Sequence, residues 1–387
     1  MASRYTTLEM LERLIAFDTV SSKSNLGIID FIEDYLRSWG IASHRTPSTE
    51  GNKANLWATV DPQDMTDGIV LSGHTDVVPV TDQSWHSDPF ILTKKDNKVF
   101  GRGTADMKTF IAAVLAGVPD MMKKPLRVPL HFAFSYDEEV GCLGVPRLIQ
   151  DVVRRLPRPR LVIVGEPTEM TLVVAHKGVH QFRTTFIGRS AHSSSPQLGA
   201  NAIVAAAEAI LILQDMAAQL RQSTPKDSPF DPPFSTIGVG IIEGGTAGNV
   251  VPARCTLHWD VRNLPDLDVD ALVTQFEQRS AIEILSKLHQ VAPEATVYTE
   301  RVASIPPLSP ESDSPAAELI QLLTGRNDTH VVAYGTEGGL FQAAGFSCVV
   351  CGPGNIAQAH QANEFITLAQ VDAGTKFIKD LTDWAQS

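Results

Sequence analysis

The chain has 387 residues, 43% hydrophobic and 20% charged, with 44 acidic against 32 basic residues and a net charge of −12. That length exceeds the roughly 250–300 residues at which single cores stop growing, so more than one domain is expected. The acidic excess argues against nucleic acid and anionic membrane as partners, and four cysteines in so long a chain do not make a disulfide scaffold.

The opening "MASRYTTLEMLERLIAFDT" lacks the apolar core of a secretory signal and reads as a capped amphipathic helix over Thr7–Phe17. A second helical pattern spans Gly27–Trp39. No apolar stretch is read as approaching the ~20 residues that span a bilayer, so a cytoplasmic location is expected. Four short apolar strands follow, "NLWATV", "GIVLSG", "VPLHFAFSY" and "RLVIVG", with "MKTFIAAVLAGV" from Met107 reading as a buried helix between the second and third. Strands alternating with helices predict an α/β domain whose mostly parallel sheet is covered by helices.

After about Lys177 the texture changes. "VHQFRTTFIGRS" alternates like a half-buried strand, and the Ala-rich helix "NAIVAAAEAILILQDMAAQL" follows. Beyond a Pro-rich loop come the strands "STIGVGIIEGG" and "RCTLHWDVRN", a further helix, and "ATVYTERV". This β-α-β-β-α-β order marks an α+β ferredoxin-like domain. The chain then returns to helix and apolar strand, "FSCVVCG". The expected organisation is an α/β domain in two parts, residues 1–178 and 301–387, interrupted by an inserted α+β domain at 179–300. The pair Cys348 and Cys351 lies inside that last strand, where positions i and i+3 face opposite ways. Buried strand cysteines are expected rather than a redox or zinc pair.

Function is concentrated at strand ends, where sites gather in open α/β sheets. "LHFAFSY" stops at three adjacent acids, Asp137, Glu138 and Glu139, which repel one another and need a neutralising partner. "IVLSG" ends at His74-Thr75-Asp76, and "LVIVG" at Glu166. Asp106 opens the buried helix, and His360 sits in a loop beyond the last strand. Singly, each has an ordinary explanation: a satisfied histidine, a helix cap, a turn, a solvated face. Together, two imidazoles and three carboxylates form an N/O donor set suited to Zn²⁺ or its neighbours. Three such ligands suffice for one tetrahedral zinc; five suit two ions if one carboxylate bridges.

The motifs "SGHTDVVP", "GRGTADMK", "DEEVG", "VGEPT", "GRSAHSS" and "GPGNIAQAHQANEF", in order along nearly the whole chain, resemble the di-zinc amidohydrolase family of acetylornithine deacetylase and succinyl-diaminopimelate desuccinylase. "YGTEGGLFQ" is similar to the acetylornithine deacetylase branch, whereas "HKGVHQF" departs from the Arg-rich stretch of the desuccinylases. The resemblance implies Asp106 bridging two Zn²⁺ ions (Co²⁺ as substitute), His74 and Glu166 completing one, and Glu139 and His360 the other. It implies Asp76 orienting His74, Glu138 as general base, a cis peptide after Asp106, and His192 reaching a neighbouring subunit's site in a homodimer. Asn249 and Arg262 are candidate contacts to a substrate carboxylate. The implied reaction is removal of acetyl from N2-acetyl-L-ornithine in arginine biosynthesis. Acetylcitrulline, succinyl-diaminopimelate and exopeptidase substrates are alternatives that share the same machinery. A non-catalytic metal-containing binding protein is the reading from another class, but it would have no need of Glu138 beside Glu139.

Overall fold

The computed structural model describes residues 3–60, 67–155 and 160–387. The chain divides into two compact units. One comprises Met1–Ala175, Leu308–Val331 and Thr336–Ser387; the other comprises His176–Pro307 and Val332–Gly335.

In chain order the strands are β1 (Ser43–Pro47), β2 (Ala54–Val60), β3 (Ile69–His74), β4 (Thr93–Lys95), β5 (Lys98–Phe100), β6 (Leu130–Ser135), β7 (Leu161–Pro167) and β8 (Leu172–His176). The second unit holds β9 (Val179–Ile187), β10 (Thr236–Gly244), β11 (Arg254–Arg262) and β12 (Thr296–Ile305), after which come β13 (Thr329–Val332), β14 (Ser347–Gly352) and β15 (Phe365–Thr367).

The large sheet runs β1-β2-β6-β3-β7-β14-β8-β13. Its central strands β6, β3, β7 and β14 are parallel and fully buried on both faces except at Ser347, which explains their unbroken apolar runs. The sheet is nevertheless mixed, since β1–β2, β2–β6 and β14–β8 pair antiparallel. The short loop joining β1 to β2 leaves no room for the crossover that parallel pairing requires. Helix Thr7–Ile15 is closed by a reciprocal capping box between Thr6 and Glu9. It packs with Leu368–Ala385 on the buried helix Lys108–Met121. Cys348 and Cys351 are buried free thiols in β14, as their strand setting predicts.

One buried group on β6 makes stability pH-dependent. His131 is 1% exposed; Nδ1 meets Thr59 Oγ1 at 2.9 Å, and Nε2 has no partner among the described residues. Burial pushes its imidazole down to about 4. The folded state therefore resists a proton that the unfolded chain accepts near 6.5, and stability falls as pH drops from about 6.5 toward 4. We expect His131→Met to shrink the stability difference between pH 7 and pH 5 by about 2 kcal/mol in urea titrations. An unaltered slope would absolve His131.

In the second unit the sheet order is β10-β11-β9-β12, antiparallel throughout, with helices Ala202–Gln222 and Val269–Ser280 in the two α positions of the ferredoxin-like order. Helix Ala202–Gln222 overturns one expectation. It has 21 residues and is long and apolar enough, by length and composition, to cross a membrane. In the fold, its Ala205, Ala206, Ala209 and Leu213 instead bury against Phe182, Leu257 and Trp259 of the sheet. Small alanines let helix and sheet approach closely, and that packing need raises the apolar content.

Candidate metal centre and active site

The three acids of "DEE" find three different surroundings. Asp137, at φ +57°, pairs with Lys53 Nζ at 2.5 Å. Glu139 Oε2 lies 2.9 Å from His360 Nε2. Glu138 turns toward the buried cluster, where it receives the Cys142 thiol at 3.2 Å on Oε1.

Asp106 occupies the centre. Its Oδ1 lies 3.0 Å from His74 Nε2 and its Oδ2 3.4 Å from His360 Nε2. Glu166 Oε1 lies 3.6 Å from the same nitrogen of His74. Asp106 is not a helix cap, because the N-cap of Lys108–Met121 is Met107 and has no side-chain capping bond. The peptide between Asp106 and Met107 is cis. The cluster is sealed at the His74 side chain, 1% exposed, and opens at His360, 56% exposed. The structure thus brings together all five residues that the sequence nominates as ligands. Two groupings place their ligand atoms within 4.8 Å of one another, His74–Asp106–Glu139 and His74–Glu138–Glu166.

Charge in this cluster is badly balanced. Burial, reinforced by Glu139 and Asp106 and opposed by His74, pushes the Glu138 carboxyl up to about 8. Burial and Asp106 push Glu139 to about 7, and burial holds Glu166 well above the carboxylate range. His360, hydrogen-bonded to Asp106 and Glu139, rises to about 10. Burial would depress His74, but its bond to Asp106 and the nearby Glu166 hold it well above its ordinary value. Among the described residues, the ion pairs of Asp106, Glu139 and Glu166 are with these imidazoles alone. Four converging carboxylates against two imidazoles, with no lysine or arginine paired to them among the described residues, are the donor set that divalent cations take.

Asp76 differs from the expected arrangement. His74 Nδ1 meets the backbone oxygen of Asp76 at 2.9 Å, while its carboxylate stands 3.7 Å away. That carboxylate is already engaged by Ser21 Oγ at 2.7 Å and by the backbone N–H groups of Glu138 and Glu139 at 3.1 and 3.3 Å. It therefore braces the acidic turn, and the ring is oriented by main chain. Glu337, unlike Asp76, was not singled out from the sequence. It is fully buried and accepts from Ser72 Oγ of β3 at 2.7 Å and from Ser135 Oγ at the end of β6. Its place within "YGTEGG" was the only signal.

Residues 70–383 match peptidase family M20/M25/M40. The chain belongs to that family. This M20/M25/M40 member is 34% identical to the acetylornithine deacetylases of Photorhabdus laumondii and Pasteurella multocida, over 97% of its length and 96% of theirs. Its fold is shared with a metallo-carboxypeptidase of the family from Sulfolobus solfataricus (TM-score 0.74, 18% identity, 98% of this chain and 99% of that one). It is also shared with a dinuclear metal-binding peptidase from Bacillus subtilis (TM-score 0.62, 15% identity, 97% and 96%). As a family member, the protein is a metal-dependent amide hydrolase. His192, Asn249 and Arg262 belong to its second unit. His192 is exposed, bridges to Val250, and is fixed through Nδ1 to Ser194 Oγ at 2.8 Å. Ser193 N–H donates to the backbone oxygen of Asn249 at 2.9 Å. Arg262 engages Asp260 through Nε at 2.9 Å.

Proposed function

We propose that the protein hydrolyses N2-acetyl-L-ornithine to L-ornithine and acetate. The observation that carries the reading is the division of one buried carboxylate, Asp106, between two imidazoles, joined to full-length similarity with acetylornithine deacetylases. His74 and Glu166 would hold one Zn²⁺, Glu139 and His360 a second, with Asp106 shared between them; Co²⁺ would substitute. Bound there, the ions lower the pKa of water and offset the charge that develops on the amide oxygen.

The remaining steps belong to the chain's own side chains. Glu138 removes a proton from the attacking water as its oxygen bonds the amide carbon. It returns that proton to the amine nitrogen as the C–N bond breaks, because an amine leaves only when protonated. Asp76, bonded to the N–H groups of Glu138 and Glu139, keeps base and ligand in their respective places. Asn249 and Arg262 are proposed contacts to the substrate carboxylate.

The second unit is proposed as lid and dimerisation domain. Edge strand β10 exposes Val239, Ile241 and Ile242, and apolar edges of this kind are normally paired or covered. His192 would then enter the partner copy's site and steady the oxyanion. We expect the 41.9 kDa chain to sediment as a dimer and Ile241→Glu as a monomer; a monomeric wild type would end this proposal.

Substrate identity is tested by comparing kcat/KM for N2-acetyl-L-ornithine, acetylcitrulline, acetylmethionine, succinyl-diaminopimelate and a dipeptide. We expect the first to exceed the others by about tenfold or more. Comparable values on all five would replace the dedicated deacetylase with a general one.

A further inference from the structure

We propose that the buried ion pair Glu364–Arg102 is a positioning device that sets Asp106 and His360 in register, and so governs occupancy of the His360–Glu139 position, where it fixes two of three ligands, more strongly than that of the His74–Glu166 position, where it fixes only the shared Asp106. This rests on the ligand assignment above. Glu364 is 1% exposed, as is Arg102, and Arg102 Nη1 donates to Glu364 Oε2 at 2.7 Å.

The carboxylate does far more than pair. Its oxygens accept the N–H groups of Gly103 at 3.1 Å, Ala105 at 2.7 Å and Asp106 at 3.1 Å. One side chain thus gathers three of the four N–H donors from Gly103 to Asp106, while that of Thr104 turns back to the Gly101 oxygen. Gly103 permits this turn: its φ is +89°, and a Cβ there would meet Lys108 and Val77 at 3.0 Å.

The guanidinium extends the same network toward His360. Arg102 Nη2 donates to Gln83 Oε1 at 2.6 Å, and Gln83 Nε2 donates to the backbone oxygen of His360 at 2.9 Å. His360 itself holds a left-handed φ of +63°, unusual for a non-glycine residue and dependent on its surroundings. Asn363 ties the same loop to the N–H of His86 at 2.8 Å. Asp106 and His360 are therefore fixed through one buried hub, whereas His74 is oriented by the main chain of its own loop.

The test titrates metal-free protein with Co²⁺, reading calorimetric stoichiometry and the visible cobalt spectrum. Wild type should take two ions per chain. Glu364→Gln should weaken one of the two by about 10–100-fold, the range for altered partners of ligands, and the other by distinctly less. Because this variant leaves Arg102 buried without its charge partner, the double variant Glu364→Gln/Arg102→Met is measured beside it. The double variant should regain the metal-free melting temperature without regaining the weakened ion. Recovery of both would make Glu364 a stability residue only and overturn the proposal, as would two undiminished ions in Glu364→Gln. Fewer than two ions in wild type would instead overturn the ligand assignment on which it stands.

Discussion

Glu138→Gln should bind divalent metal as wild type does and turn over about 10²–10⁴-fold more slowly. Glutamine preserves the volume and can still accept the Cys142 thiol on its amide oxygen, so the turn braced by Asp76 has no reason to move. What disappears is the proton acceptor. Because proton transfer belongs to the transition state, kcat and kcat/KM should fall together while KM stays near its original value. Two results would contradict this. Near-normal turnover would remove the base. Loss of metal would convert Glu138 into a ligand, a role compatible with its place in the second group of converging donors. Metal content and rate must therefore be measured on the same preparation.

Asp106→Asn should act in the opposite order, losing metal first and turnover as a consequence. An amide offers one oxygen where the carboxylate offers two, and its NH₂ would face either His74 or His360 as a donor. We expect metal content to drop from two ions to one or fewer per chain, with a rate loss at least as large as that of Glu138→Gln. Retention of both ions would show that the shared carboxylate is dispensable, and the argument from its divided oxygens would fail with it.

The five ligand candidates were legible because each stands where a strand stops, where the buried helix opens, or in a loop beyond the last strand; in such folds the strand ends converge. Their order along the chain also carried the resemblance. Other features could not be seen locally. Glu364 reaches Arg102 across 262 residues and Glu337 reaches Ser72 across 265, and although both stand inside motifs, nothing in the linear chain shows what either would touch. Which oxygen of Asp76 meets His74 could not be read locally, because carboxylate and main-chain oxygen are equally near in sequence. Only the fold shows that Ser21 and the N–H groups of the acidic turn have claimed the carboxylate. Strands such as β1, "SHRTP", and the three-residue β4, β5 and β15 lack any alternating apolar signal. They exist through their partners, so propensity does not announce them.

The position of β14 has a consequence for biosynthesis. It lies between β7 and β8, yet all of residues 168–346 must be made after β7 before it emerges. At translation speeds of about 5–20 residues per second, the apolar flank of "LVIVG" waits roughly 10–40 s for its parallel neighbour. During that interval the second unit, which is nearly continuous in sequence, can complete its own sheet while the first stays open along one edge. The newborn enzyme is thus most vulnerable to sticking, and most in need of a chaperone's shelter, at the strand that delivers Glu166.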